Sequence, residues 1–160
     1  MHDFQEAIDL DPSSSDAYAG RGSARLRLGE HREAVADVEK ALGLGEPSGD
    51  LCYKAARVYA LADVVAGAEV RKKGSETVIL AARYQDRAAT LLRETFKRTP
   101  VAERTSFWRN IQSDPALTAP RGKDVRVLRR TRLADLPVSE VAATLGLGES
   151  AAAVAGGRAP

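Results

Sequence analysis

The chain has 160 residues, of which 44% are apolar and only 5% aromatic, so its core must consist mainly of Ala, Leu and Val. The net charge of +2 is uneven: residues 1–50 hold 5 Lys and Arg against 11 Asp and Glu (net −6), and residues 51–160 hold 19 against 11 (net +8). A single cysteine, Cys52, excludes an internal disulfide and a cysteine metal cluster. No apolar run approaches the roughly 18 residues of a membrane-spanning helix.

The first residues carry neither a basic segment nor an apolar segment of the secretory type. Together with the lone cysteine, this predicts a reducing, cytoplasmic location.

The first predicted helical hairpin runs from Ser15 to about Leu28 and from His31 to about Leu44. Gly22 lets the two helices approach closely, and Gly29 ends the first helix where a left-handed residue is favoured.

The pattern of this hairpin recurs with a period of 34 residues. When the sequence is aligned with itself after a shift of 34, Phe4 pairs with Val38, Ala7 with Ala41 and Gly22 with Ala56. The hairpin resembles one tetratricopeptide repeat through Tyr18, Gly22, Leu28-Gly29, Ala34 and Ala41. Arg21 and His31 stand where that family has apolar and aromatic residues. The resemblance implies an all-α α-solenoid of helix–turn–helix repeats and a non-catalytic protein-interaction scaffold.

The next unit begins with Asp50 to Ala62, but its second helix is displaced by an insertion of about 20 residues. We expect an extended first helix to about Arg71, a turn, and a long helix from Ser75 to Lys97. This hairpin resembles repeat arrays attached to bacterial modular serine/threonine kinases. A half repeat at the start suggests, as an alternative, that the chain is a C-terminal regulatory remnant of such a kinase.

Thr99-Pro100 is predicted to open a helix to about Gln112 that caps the last repeat. Trp108 within it is expected to be a packing residue, the alternative being an exposed contact for a partner. Asp114-Pro115 and Ala119-Pro120 indicate loops. The predicted divisions are 1–14 (end of a partial repeat), 15–48 (full repeat), 49–100 (repeat with insertion), 101–112 (capping helix) and 113–160 (basic, partly disordered tail).

The tail contains a basic stretch between Arg121 and Arg132, read either as a solvated segment or as a site for an acidic partner or nucleic acid. Residues 136–154 resemble a sigma-factor-like helix-turn-helix. A DNA-associated regulator is therefore a further alternative. The second helix of that motif has no Lys, Arg, Asn or Gln before Arg158, which argues against DNA reading.

No motif for catalysis, a cofactor or a metal occurs, and His31 and Cys52 fall at packing positions, so we expect no enzyme activity. The family pattern places a partner-binding groove on Asp16, Ala19, Ser23, Arg27, Asp50, Tyr53, Arg57 and Leu61. The ligand would be a protein or peptide of unknown identity, with Arg27 and Arg57 the available cations for a carboxylate. The alternative is that these residues form an ordinary solvated face.

The half repeat at the start also has a packing consequence. Each repeat buries its apolar face on a neighbour. Phe4, Ala7 and Ile8 are therefore predicted to form an exposed apolar face, through which the chain could form a homo-oligomer.

Overall fold

The computed structural model describes residues 1–73 and 75–118. Throughout these ranges the chain is helical or turn, with no strand, which confirms the predicted all-α fold. The elements are α1 (His2–Leu10), α2 (Ser15–Arg27), α3 (His31–Leu42), α4 (Gly49–Lys73), α5 (Ser75–Arg98), a 3₁₀ turn (Val101–Glu103), α6 (Arg104–Ser113) and α7 (Pro115–Thr118).

Helices α2 and α3 form the predicted tight hairpin. A Cβ atom added to Gly22 would lie 2.9 Å from the carbonyl oxygen of Ala34 and 3.2 Å from Val38 Cγ1, so only glycine allows this approach. Gly29, at φ +84°, supplies the left-handed residue between the helices. Ser14 accepts a hydrogen bond from the backbone N–H of Ala17 and caps α2.

Arg21, which departs from the family pattern, has a structural partner in the same hairpin. Its Nε and Nη2 donate to the two carboxylate oxygens of Asp37 at 2.9 and 2.6 Å. Arg25 Nη1 donates to Asp37 Oδ2 at 2.9 Å, and the Asp37 side chain is only 5% exposed. The polar residue is tolerated at this position because α3 provides a buried countercharge.

Helices α4 and α5 form the long hairpin expected from the insertion, with observed ends within about two residues of the predicted ones at Arg71, Ser75 and Lys97. Their facing sides build the main core, which extends from Leu26 in α2 to Leu117 in α7. Ala55, Ala56, Ala62, Ala66 and Ala88 are fully buried there. Alanine at these positions lets the two helix backbones lie close together.

Helix α1 packs on α2 as the second helix of a preceding repeat would. The Phe4 ring lies directly over Gly20, Ile8 is buried, and Ala7 is half-buried. The predicted exposed apolar face at Phe4, Ala7 and Ile8 is therefore wrong, because α2 covers these side chains. The packing on α2 leaves only parts of Phe4 and Ala7 in contact with solvent.

The segment after α5 first forms the 3₁₀ turn, so the helix predicted to open at Thr99-Pro100 begins instead at Arg104. Trp108 and Ile111 of α6 are 4% and 1% exposed and belong to the main core, so Trp108 is a packing residue. The loop predicted at Asp114-Pro115 is instead the start of α7, whose Leu117 is completely buried. Residues 113–118 therefore pack with the helical body.

Two predictions lie outside the described residues: the Ala119-Pro120 loop, and the basic, partly disordered tail with its possible helix-turn-helix. A search of the described helices for an apolar stretch with the length of a membrane span finds none.

Candidate partner-binding face

The eight residues predicted to form a groove lie on two helices, Asp16, Ala19, Ser23 and Arg27 on α2 and Asp50, Tyr53, Arg57 and Leu61 on α4. We call this set the first-helix face. Its members differ widely in exposure and in the contacts that they make.

On α2, only the two ends of the set reach solvent freely. Asp16 and Arg27 are exposed. Ala19 is 2% exposed and packs with Ala41 and Leu51 in a small second core. The Ser23 hydroxyl donates to the carbonyl oxygen of Ala19 at 2.9 Å. The assignment of Ala19 as a ligand contact is therefore wrong, because α4 begins directly against it.

A lysine that the sequence reasoning missed joins the two helices on this face. Lys54 Nζ lies 3.0 Å from Asp16 Oδ1 and 2.7 Å from Asp50 Oδ2. These hydrogen bonds, the one with Asp50 first, raise the pKa of Lys54. The four-residue spacing between Asp50 and Lys54 on one helix could have indicated this ion pair from the sequence. One cation between two carboxylates leaves this end of the face acidic.

On α4, two members of the set bind a carboxylate of the chain itself. The Tyr53 hydroxyl donates to Asp114 Oδ2 at 2.6 Å, and Arg57 Nε lies 2.8 Å from the same oxygen. The Tyr53 ring also meets Phe107 edge-on, with 5.5 Å between the centroids. Burial, followed by the bond to Asp114, raises the pKa of Tyr53. The sequence marked Arg57 only as a cation available to a carboxylate and gave no sign that Asp114 of the same chain would bind it.

Leu61 lies at the edge of the main core and is partly buried. Below Tyr53, a half-open cleft of about 420 Å³ separates the start of α4 from the end of α5 and from α6. Its walls include Asp50, Tyr53, Arg98, Glu103 and Phe107. Aromatic and charged side chains thus line the cleft, which shares Asp50 and Tyr53 with the first-helix face.

His31 and Cys52, the two side chains considered for catalysis, lie in packing positions. His31 is 4% exposed, with Nδ1 3.4 Å from the Tyr84 hydroxyl and its ring edge-on to that of Tyr84. Cys52 is 1% exposed, and burial raises the pKa of its thiol. Among the described side chains, no three His, Cys, Asp or Glu residues are grouped so that they could hold a metal ion.

Comparison with known proteins shows a local similarity to a plant protein. Over 50 residues, the chain is 40% identical to a protein from Oryza sativa subsp. japonica described as "Protein SGT1 homolog". The aligned region covers 31% of this chain and 13% of the length of the rice protein. No protein-family model and no solved structure matches the chain.

Proposed function

We propose that the chain is a non-catalytic protein-interaction module of tetratricopeptide type that binds a peptide or protein partner on its first-helix face. The local similarity to the rice protein and the stacked helical hairpins support this proposal. The proposed ligand is a peptide rather than a small metabolite because the charged positions extend over two helices.

The observation that carries the proposal is the arrangement of charge across α2 and α4. Lys54 bridges Asp16 and Asp50, which fixes three charged groups from both helices near one another. Arg27 lies exposed at the other end of α2. Charged groups placed in this way provide orientation and specificity for a partner more than raw affinity.

The test is affinity capture with mass spectrometry, using the full chain as bait in extracts of its native host. We expect a variant carrying Arg27→Glu and Lys54→Glu to lose at least tenfold of the partner that the parent chain retains. Both side chains are substantially exposed, and exposed ion pairs contribute little to stability, so the variant should stay folded. Circular dichroism checks the fold.

The matched control carries Arg32→Glu and Arg83→Glu, which make the same change in net charge at exposed positions of α3 and α5. Equal capture by the two variants would contradict a role for the first-helix face. Tyr53 and Arg57 are left unchanged in this experiment, because substituting them would also release Asp114.

A further inference from the structure

The carboxylate of Asp114 lies on the first-helix face and uses both of its oxygens. Oδ2 accepts from the Tyr53 hydroxyl and pairs with Arg57, while Oδ1 accepts from the backbone N–H of Ala116 at 2.8 Å and caps α7. Asp114 is 8% exposed. Such a charge can be buried because two donors from α4 and one from α7 satisfy it.

An apolar side chain accompanies this carboxylate three residues later. Leu117 is completely buried and Ala116 is 5% exposed, and α7 packs against α4. The segment 114–118 therefore places a carboxylate on α4 and, three residues later, a leucine in the main core. A helical peptide that docks in a partner's groove likewise uses side chains one turn apart as its anchors.

We propose that Tyr53 and Arg57 form a carboxylate-binding site for a partner peptide of the pattern Asp-x-x-Leu, and that the chain's own residues 114–118 occupy this site. The inference rests on the proposed function and adds the chemistry of the ligand and its regulation. A partner binds by placing its carboxylate on Tyr53 and Arg57 and its leucine where Leu117 lies. The Arg57 side chain is 48% exposed, so an incoming carboxylate can reach it before Asp114 leaves.

Occupation from within the chain weakens binding of an outside peptide. A tethered segment acts at an effective concentration of about millimolar, so a free peptide competes only when its affinity is high or the segment is released. The chain is thus a regulated binder. Any change that loosens residues 114–118 increases its apparent affinity.

The probe is a fluorescein-labelled peptide with the sequence of residues 110–118, measured by anisotropy against the full chain. We expect the variant Asp114→Asn with Leu117→Ala to bind this peptide at least tenfold more tightly than the parent chain does. Adding Arg57→Gln should remove at least tenfold of the gained affinity, whereas adding Arg83→Gln on α5 should leave it unchanged. A peptide carrying the Asp114→Asn change should bind the opened variant at least tenfold more weakly.

Should the double variant fail to fold by circular dichroism, Asp114→Asn alone serves, because asparagine still caps a helix but carries no charge. The expected gain is then at least threefold. A folded variant that binds the peptide no better than the parent chain, or binds it equally well without the Arg57 guanidinium, overturns the inference. If the peptide test fails while the Arg27 and Lys54 variant still loses its partner, only the occupied-site inference is wrong.

Discussion

Asp37 lies almost fully inside the α2–α3 hairpin and meets two arginines there. Arg21 binds it through two nitrogens and Arg25 through one, and Arg21 also donates to the side chain of Gln5 on α1. The Asp37 carboxylate therefore joins α3 to α2, and Arg21 extends this connection to α1. Hydrogen bonds to Asp37 raise the pKa of Arg21, so the cation stays charged throughout the working pH range.

Replacing Asp37 with Ala should lower the free energy of unfolding by about 3 kcal/mol, because it removes the buried countercharge of Arg21 and leaves Arg25 only the Glu30 carboxylate, 3.9 Å away. Urea denaturation followed by circular dichroism measures the change. Glu33→Ala is the matched control, since it removes an exposed carboxylate from the same helix and should change stability by less than about 0.5 kcal/mol. A similar loss in both variants would contradict the structural role of Asp37.

Two helical glycines should respond in opposite directions to alanine. At Gly22 the added Cβ lies 2.9 Å from a backbone oxygen that cannot move freely, and such overpacking costs about 1–3 kcal/mol. At Gly67 nothing lies within 4 Å, so the better helix propensity of alanine should stabilise the chain by about 0.5–1 kcal/mol. Thermal unfolding of the two variants checks both signs, and a stabilised Gly22→Ala variant would contradict the close helix contact.

At the scale of helices, α3, α4 and α5 are joined by a polar contact beside the main core. The Tyr59 hydroxyl of α4 donates to Glu39 on α3, and Arg87 Nε of α5 donates to the same carboxylate at 3.0 Å. Tyr59 is 5% exposed. Burial, followed by the bond to Glu39, raises the pKa of Tyr59 from its ordinary value of 10.0.

This raised pKa predicts that stability falls as the pH rises above about 10. The unfolded chain then loses the tyrosine proton while the folded protein retains it, so alkali favours unfolding by at most about 1.4 kcal/mol per pH unit for this group. Tyr59→Phe should flatten the decline of the unfolding free energy between pH 9.5 and 11.5. Equal slopes in the parent chain and in this variant would contradict the assignment.

At the scale of the whole molecule, the main core is continuous from α2 to the cap. We therefore predict that the described helical body unfolds in one cooperative transition. The fluorescence of Trp108, the chain's single tryptophan, and the far-ultraviolet circular dichroism should show the same urea midpoint. An earlier fluorescence transition would show that the cap separates before the hairpins unfold.

Apolar spacing and glycine positions were enough to predict the hairpins, including the long one, because these signals are local in sequence. The Asp114 contact could not be predicted, since it joins residues 61 positions apart on elements without a shared periodicity. The expected exposure of Ala19 likewise failed, because Leu51 of α4 packs against it. Contacts between helices that are distant in sequence, rather than the spacing within one hairpin, decide which of these positions are accessible.

The burial of Cys52 gives the chain a reporter that needs no engineering. Its thiol lies near the start of α4 in the main core, 1% exposed, and a thiol reagent can reach it only after neighbouring helices separate. The rate of alkylation under native conditions therefore measures how often the hairpins part, in the way that amide hydrogen exchange measures local opening. Since the sequence holds no second cysteine, every labelled molecule records the same event at one known position.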